Sequence, residues 1–503
     1  VKTAELTPHL PNDGPGRQWM RQLSDQAFSR ASGTPLRQGN AVQLLKDATE
    51  HYPAWLEAIQ GAQRTVHLEM YIFAEDPEGE RFATALLERA RQGVRVRVLQ
   101  DWFGALGRTS RQFWARLRDG GVEVRVYNPF RFDRPLGWVS RNHRKVLSVD
   151  HQVAFITGLC IAQEWAGDPA RGLPPWRDTG VALRGPAVTD VEDAFAEAWA
   201  TAGDPLPLEP PGAGEASTAA GDVAVRVVAT VPNTAGLFRV DQLVAALAQK
   251  TLWLTDAYFT ATPPYVQALR AAAGDGVDVR LLVPGASDLP LLQPLARSGY
   301  RPLLEAGVRV FEWNGPMVHA KTAVADSRWA RVGSTNLNLA SWVGNRELDV
   351  IVENAGFAEQ MEAMYLADLG NATEVVLERK RLRAPGAPQR PRDRRAGISG
   401  GSRGRVVAGA ARLGDTVSAA ITSRRVLEPT ETRVTLLAAA LLLLVAGLGV
   451  IYPRVLAYPL AGIAAWLAVA LVSRGISLRW ERRRRKAKPP QASRDSAGGC
   501  PRE

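Results

Sequence analysis

The sequence is poor in the residues that would tie a chain together covalently or through a metal. Its 503 residues include 2 cysteines, Cys160 and Cys500. Two cysteines cannot build a disulfide framework or a four-cysteine zinc site, and they point to folding in a reducing compartment. Histidine is nearly as scarce, at 6 residues. Positive charge is carried mostly by arginine, the only lysines being Lys2, Lys46, Lys145, Lys250, Lys321, Lys380, Lys486 and Lys488. Residues 1–19 hold no apolar run, so that stretch does not read as a secretory signal. An apolar fraction of 46% excludes a disordered chain.

Charge is unevenly placed. The net charge is +11, and much of the excess lies near the C-terminus in "ERKRLR", "RPRDRR" and "ERRRRKAK". Such clustering suggests an anionic surface near that end, membrane or nucleic acid. Between these basic runs lie two stretches without charge, 434–452 and 455–473, separated by Pro453 and Arg454. Each is about the ~20 residues that a helix needs to cross a bilayer, and the short turn predicts an antiparallel hairpin. Arginines flank the pair on the same side (Arg424, Arg425 and Arg433 before; Arg474, Arg479 and Arg482 to Arg485 after). The positive-inside rule then puts both ends in the cytoplasm, and the basic flanks add about 1 kcal/mol per residue near an anionic leaflet.

The region before this hairpin is duplicated. "RTVHLEMYIF" (64–73) returns as "KTLWLTDAYF" (250–259), "QGVRVRVLQD" (92–101) as "DGVDVRLLVP" (275–284), and "GGVEVRVYNP" (120–129) as "AGVRVFEWNG" (306–315). The period is far too long for a solenoid and implies two similar lobes. Val66, Leu68, Met70 and Ile72 alternate as in a strand, whereas Phe82, Leu86, Leu87 and Ala90 share a helical face that ends at Gly93. Strand, helix, strand in this rhythm predicts mixed α/β sheets flanked by helices. The stretch 204–221, rich in Pro, Gly and Ala, reads as a linker.

Each copy then reaches the same spelling, "NHRKVLSVD" (142–150) and "VHAKTAVAD" (318–326). Alternate side chains of a strand share a face, so His143 and Lys145 point the same way, as do His319 and Lys321. Imidazole supplies a nucleophile, acid or base near neutral pH, and an ammonium supplies a compact charge for a phosphate oxygen. Asp150 and Asp326 complete the motifs and count with them as catalytic candidates, while Asp150, after the apolar run "VLSV", reads as a residue that turns the chain or fixes nearby backbone. One match reads as an ordinary surface-strand histidine. Two matches at the same place in two copies, in a chain this poor in both residue types, read as a site.

The spacing HxKx4D, followed in the second copy by "GSTN" (Gly333, Ser334, Asn336), resembles the phospholipase D superfamily. More narrowly, "GNAVQLLKDATEHYPAWLEAI", "HLEMYIF", "WRDTGVALRGPAV", "LLVPGASDLPLL" and "GSTNLNLAS" are similar to stretches of bacterial cardiolipin synthases. The likeness runs from about residue 36 to 368. The C-terminal hairpin departs from the usual family pattern. So does "TGLC" in the first copy, where Thr157 and Cys160 replace a glycine and an amide.

The resemblance implies an α/β fold of two pseudo-symmetric phospholipase D-like lobes, followed here by the predicted transmembrane hairpin. The expected boundaries are 1–35 extension, 36–203 first lobe, 204–221 linker, 222–375 second lobe, 376–433 basic linker, 434–473 hairpin and 474–503 cytoplasmic tail. It implies that Lys145 and Lys321 hold a phosphodiester while one histidine forms a covalent phosphohistidine and the other protonates the departing alcohol. His143 is read as the nucleophile and His319 as the acid and base. Asn142, Ser334 and Asn336 carry over as substrate contacts, and Asp178 ("WRDTG") and Glu347 ("NRELD") as carboxylates that orient the imidazoles. For each carboxylate the alternative is simple pairing with a nearby arginine. Cys160 cannot donate as an amide does, which leaves Ser334 and Asn336 as the main polar contacts.

The implied reaction calls for no metal and no cofactor. It joins two phosphatidylglycerols into cardiolipin with release of glycerol, at the cytoplasmic face of a bacterial inner membrane. A hydrolytic phospholipase D is the nearest alternative. A nuclease of the superfamily is disfavoured because the basic runs adjoin the hairpin, where lipid headgroups account for them. A non-catalytic membrane scaffold is disfavoured by the intact His and Lys of both copies.

Overall fold

Both lobes open on a strand followed by a helix, and those opening strands are where they join. In the first copy β1 (Arg37–Lys46) leads to α2 (Asp47–Gly61) and β2 (Thr65–Met70). In the second, β8 (Val223–Thr230) leads to α7 (Gly236–Leu247) and β9 (Thr251–Thr255). The computed structural model describes residues 15–130, 139–207, 218–260, 262–289, 292–377 and 424–427, with isolated residues between 443 and 472. Of these, residues 15–128, 140–207, 218–260, 262–289, 292–377 and 424–427 belong to one compact unit, which holds every strand of both lobes.

The first lobe adds β3 (Arg95–Asp101), β4 (Glu123–Tyr127), β5 (Val146–Val149), β6 (Val153–Thr157) and β7 (Thr179–Arg184). The second adds β10 (Asp278–Pro284), β11 (Arg309–Trp313), β12 (Thr322–Ala325), β13 (Trp329–Gly333) and β14 (Glu347–Glu353), with β15 (Ala372–Leu377) and β16 (Arg424–Leu427) beyond. The spatial order β4-β3-β2-β5-β6-β7-β1 is matched by β11-β10-β9-β12-β13-β14-β8. In each lobe the first three strands of this order are parallel and the motif strand, β5 or β12, runs antiparallel to β2 or β9. The lobes do not keep separate sheets. β1 and β8 pair antiparallel (Arg37 with Val225, Asn40 with Val223), joining the two halves into one sheet of 16 strands. Pairing the opening strands leaves neither with an open edge at that seam.

The helix read from Phe82, Leu86, Leu87 and Ala90, with its end at Gly93, is α3 (Pro77–Arg91). Asp76 caps it by accepting from the Gly79 amide at 2.9 Å, Pro77 occupies its first turn, and Phe82, Leu86 and Leu87 are buried. Each such side chain contributes about 1.5–3 kcal/mol by leaving water. α2 and α3 pack on the outer face of the first lobe, and α7 and α8 (Pro263–Gly274) on that of the second. A third core lies between the lobes, where α6 (Ala187–Thr201) and α11 (Ala355–Leu369) meet inward residues of both. With both faces covered, β2 is buried at every position, including His67 and Glu69. The polar members of the alternation are therefore bonded rather than solvated, His67 to Glu192 at 2.6 Å and Glu69 to Asn142 at 2.7 Å.

Most of the predicted hairpin, 434–473, lies outside the described residues, as do most of the basic linker and all of the tail from 474. Among the described residues no helix is long and apolar enough to cross a membrane.

Candidate active site

The two His-Lys motifs enter the interface between the lobes on the chain that leads into β5 and β12. Their aspartates lie at the far ends of those strands. Asp150 accepts the backbone amides of Gln63, Arg64 and Thr65 at 2.7–2.8 Å. Asp326 accepts those of Gln249, Lys250 and Thr251 at 2.7–2.9 Å. Both carboxylates fasten the turn that starts β2 or β9, and both residues take positive φ, 53° and 52°. They hold backbone in place, away from the imidazoles.

The imidazoles are held across the interface. His143 Nδ1 lies 2.9 Å from Glu347 of the second lobe, and His319 Nδ1 lies 2.8 Å from Asp178 of the first. The backbone crosses in the same way. The His143 amide donates to Arg346 at 2.9 Å and the His319 amide to Arg177 at 2.7 Å, each beside the carboxylate that its side chain meets. Neither carboxylate pairs with its neighbouring arginine side chain. Arg177 reaches Asp368 at 2.9 Å, and Arg346 reaches Glu197. Arg144, fully buried, adds a further tie from the first motif to the Glu347 carbonyl at 3.1 Å.

Carboxylate contact at Nδ1 places the proton there and leaves the Nε2 lone pair free. Burial, followed by the charge of Lys321, lowers the His319 pKa to about 3. The His143 pKa is also lowered, again chiefly by burial. Burial works to raise Asp178 and Glu347, but the facing imidazoles and the motif lysines outweigh it and hold both carboxyls below their ordinary values. Both ammonium groups are depressed by burial, Lys321 to about 8. Lys321 also acts on His143 and Lys145 on His319, so the two couples share one electrostatic volume. Lys145 Nζ donates to the His143 carbonyl at 2.5 Å, and Lys321 donates to that of His319.

Aromatic rings enclose the motifs, and their role is not evident from the sequence. Tyr71 meets His143 edge-on at 4.9 Å with Lys145 5.1 Å from its ring centre, and Tyr258 stands likewise to His319 at 5.7 Å and Lys321 at 5.7 Å. Trp165 and Trp176 of the first lobe approach His319 at 5.2 and 5.8 Å. The signal for the tyrosines was present in the repeat, one position out of step between "EMYIF" and "TDAYF".

Of the three residues read as substrate contacts, Ser334 and Asn142 are engaged inside the protein. Ser334 Oγ donates to Glu347 at 2.7 Å and accepts the Leu348 amide at 3.0 Å. Asn142 Nδ2 donates to Glu69 at 2.7 Å. Asn336 is buried, and its Oδ1 has no protein donor. In the first lobe Gly158 stands where Ser334 does in the second, and a Cβ there would lie 2.4 Å from Asp178. Beside His319 and the Thr179 amide, Trp165 Nε1 donates to the Asp178 carboxylate at 2.9 Å. Burial raises the Cys160 thiol pKa, so the thiol stays protonated.

The family described as "Cardiolipin synthase, PLD-like domain" matches residues 55–163 and 244–369. Cardiolipin synthase A of Pseudomonas aeruginosa (strain LESB58) is 34% identical over 364 residues, which cover 71% of this chain and 72% of that protein. The cardiolipin synthase of Alkalihalophilus pseudofirmus is 30% identical over 359 residues, covering 71% of each. Among solved structures, phosphatidylserine synthase of Haemophilus influenzae shares the fold, with a TM-score of 0.56 at 14% identity over 70% of this chain and 92% of that one.

Proposed function

Because the chain belongs to the phospholipase D-like cardiolipin synthases, we propose that it is a phospholipid transphosphatidylase that makes cardiolipin from two phosphatidylglycerols. Lys145 and Lys321 hold the diester. His143 attacks phosphorus through Nε2, the bond to the departing glycerol oxygen breaks, and His319 gives that oxygen its proton. His319 then takes the proton of the incoming phosphatidylglycerol hydroxyl, which displaces His143 and releases cardiolipin. Resting imidazoles are neutral in this site. Burial first, and then the two ammonium charges, keep them so; an anionic diester offsets the ammonium part and favours the protonated form of the acid. Phosphodiester cleavage is intrinsically slow, and covalent, acid–base and electrostatic contributions are all needed.

The observation that carries this reading is the crossed pair of imidazole–carboxylate contacts, 2.9 and 2.8 Å, beside two buried lysines. The segment 434–473 anchors the enzyme in the bacterial inner membrane with residues 36–375 in the cytoplasm, where its lipid substrate is presented. The test is conversion of labelled phosphatidylglycerol by membranes holding the full chain. Labelled cardiolipin with equimolar glycerol supports the proposal, and phosphatidic acid as sole lipid product replaces it with hydrolysis.

A further inference from the structure

Behind the second-lobe motif lies a group of buried charges that the first lobe does not repeat. Arg331, in β13, is fully buried. Its Nε lies 3.6 Å from Asp241 of α7 and its Nη1 3.6 Å from Asp349 of β14. None of its guanidinium nitrogens makes a direct hydrogen bond to a protein acceptor, so charge holds it. Asp241 also accepts the Trp342 indole at 3.0 Å, and Asp349 accepts the Thr335 hydroxyl. Asp256 takes the Leu337 amide at 2.7 Å. The turn that follows β13 is thus fastened to buried carboxylates at Thr335, Leu337 and Trp342.

That turn begins with Ser334, whose hydroxyl donates to Glu347 at 2.7 Å, and Glu347 meets His143 at 2.9 Å. Glu347 and Asp349 are two apart on β14 and share a face. In the first lobe the corresponding places hold Phe155 for Arg331, Gly180 for Asp349, Leu159 for Thr335 and Met70 for Asp256. Phe155 packs on Trp55 at 6.4 Å there, and no ion is needed. A buried ion group is poor evidence of stability in itself, since well-packed apolar residues do as well or better. Its presence in one lobe only calls for another role.

We propose that Arg331 is a positioning residue for the reaction assigned above. Its charge holds Asp349, Asp349 holds Thr335, and the turn so fixed carries Ser334 to Glu347 and thereby sets the imidazole of His143. Only the rate of cardiolipin formation, as a readout, rests on the transphosphatidylase reading.

The test uses the full chain with Arg331→Met, Arg331→Lys and Thr335→Val. Leu86→Ala, in α3, serves as a variant of lowered stability outside the site. Cardiolipin formation is one readout. The other is the Nδ1–H signal of His143 in protein labelled with 15N-histidine, assigned by its loss in His143→Ala. Arg331→Met should lower kcat at least about tenfold with KM within about twofold, as loss of a contact that aligns a reacting group does. It should also move or broaden the His143 signal and leave that of His319 in place. Arg331→Lys should recover most of the rate, and Leu86→Ala should keep both signals. Thr335→Val cuts the link without removing a charge and decides the matter if Arg331→Met does not fold. A wild-type kcat in Arg331→Met, or a lost rate with an unmoved His143 signal, overturns the proposal. If the wild type makes no cardiolipin, the functional reading fails and the His143 signal alone decides the role of Arg331.

Discussion

Each lobe brings one imidazole and one ammonium to the cleft on the same seven-strand plan, yet the two lobes support them by opposite means. In the first, Trp55, Phe155, Leu159 and Cys160 pack as apolar volume behind the motif. In the second, Arg331, Asp241, Asp349 and Thr335 fill the equivalent space with charge and hydroxyl. The orienting carboxylates differ in the same sense, Asp178 being steadied by the Trp165 indole and Glu347 by the Ser334 hydroxyl. In the reaction proposed above, the imidazole, the ammonium and the carboxylate are fixed because a phosphodiester needs those groups at those places. What lies behind them has only to be rigid, and the first lobe meets that need with dense packing while the second uses a buried ionic group.

The largest effect should come from treating the lobes as separable. If they are halves of one site, His143→Ala and His319→Ala each lower turnover by on the order of 10⁴-fold or more, and the double variant is no worse than either alone. Rates on labelled phosphatidylglycerol for the three variants decide this. Losses that multiply would mean two independent sites and would break the comparison at its root.

Next come the crossed carboxylates. Glu347→Gln and Asp178→Asn keep size and shape but favour the wrong imidazole tautomer, which costs about 10²–10⁴-fold in comparable dyads. Each substitution lies in one lobe and should alter the histidine of the other. With 15N-histidine labelling, Glu347→Gln should move the His143 signal and leave that of His319, and Asp178→Asn the reverse. A signal that moves with the carboxylate of its own lobe would refute the crossing.

This crossing marks the limit of what the chain reveals before folding. The motif spacing, the α3 face and the mixed α/β rhythm of strand and helix were legible because they depend on residues close in sequence. Asp150 reads as a holder of backbone from its place after "VLSV", but the amides it holds lie 85–87 residues away and could not be named from the sequence. The partner of His143 is 204 residues away and that of His319 is 141 away. Nothing local says whether a carboxylate serves its own lobe or the other, since that is decided by how β1 and β8 pair. Ser334 shows the converse limit. Its type and place suggested a phosphate contact, whereas its hydroxyl is bonded to Glu347, a partner that only the return of β14 beside β13 supplies. Trp165 and Trp176 likewise gain their place beside His319 through the docking of lobes.

A smaller effect separates the lysines by pH. Burial lowers the Lys321 pKa to about 8, so the ammonium is present below that value and is lost as pH rises through it. KM for phosphatidylglycerol should rise above about pH 8, by about tenfold per unit if Lys321 alone titrates. Lys321→Arg stays charged and should move this limb upward, at some cost in kcat because the guanidinium has a different shape. A limb that stays near pH 8 in Lys321→Arg would transfer it to another group of the site.

The smallest effect is expected at Cys160, where the first lobe lacks the amide that Asn336 provides in the second. The Cys160 side chain is buried, its carbonyl accepts the Tyr52 hydroxyl at 2.7 Å, and both Lys145 and Lys321 act on its thiol. Cys160→Asn therefore places an amide among apolar neighbours but within the field of both ammonium groups. Left unpaired there, the amide costs about 1–3 kcal/mol, and the free variant should melt below the wild type. A diester in the cleft offers it an acceptor, so a soluble headgroup such as glycerophosphoglycerol should raise the variant's melting temperature more than that of the wild type. Turnover should change by no more than about threefold, because Lys145 already holds the same oxygen region. Equal ligand shifts in the two proteins would mean that position 160 does not face the diester. The asymmetry of the lobes would then reside wholly in their supports, with Arg331 as its centre.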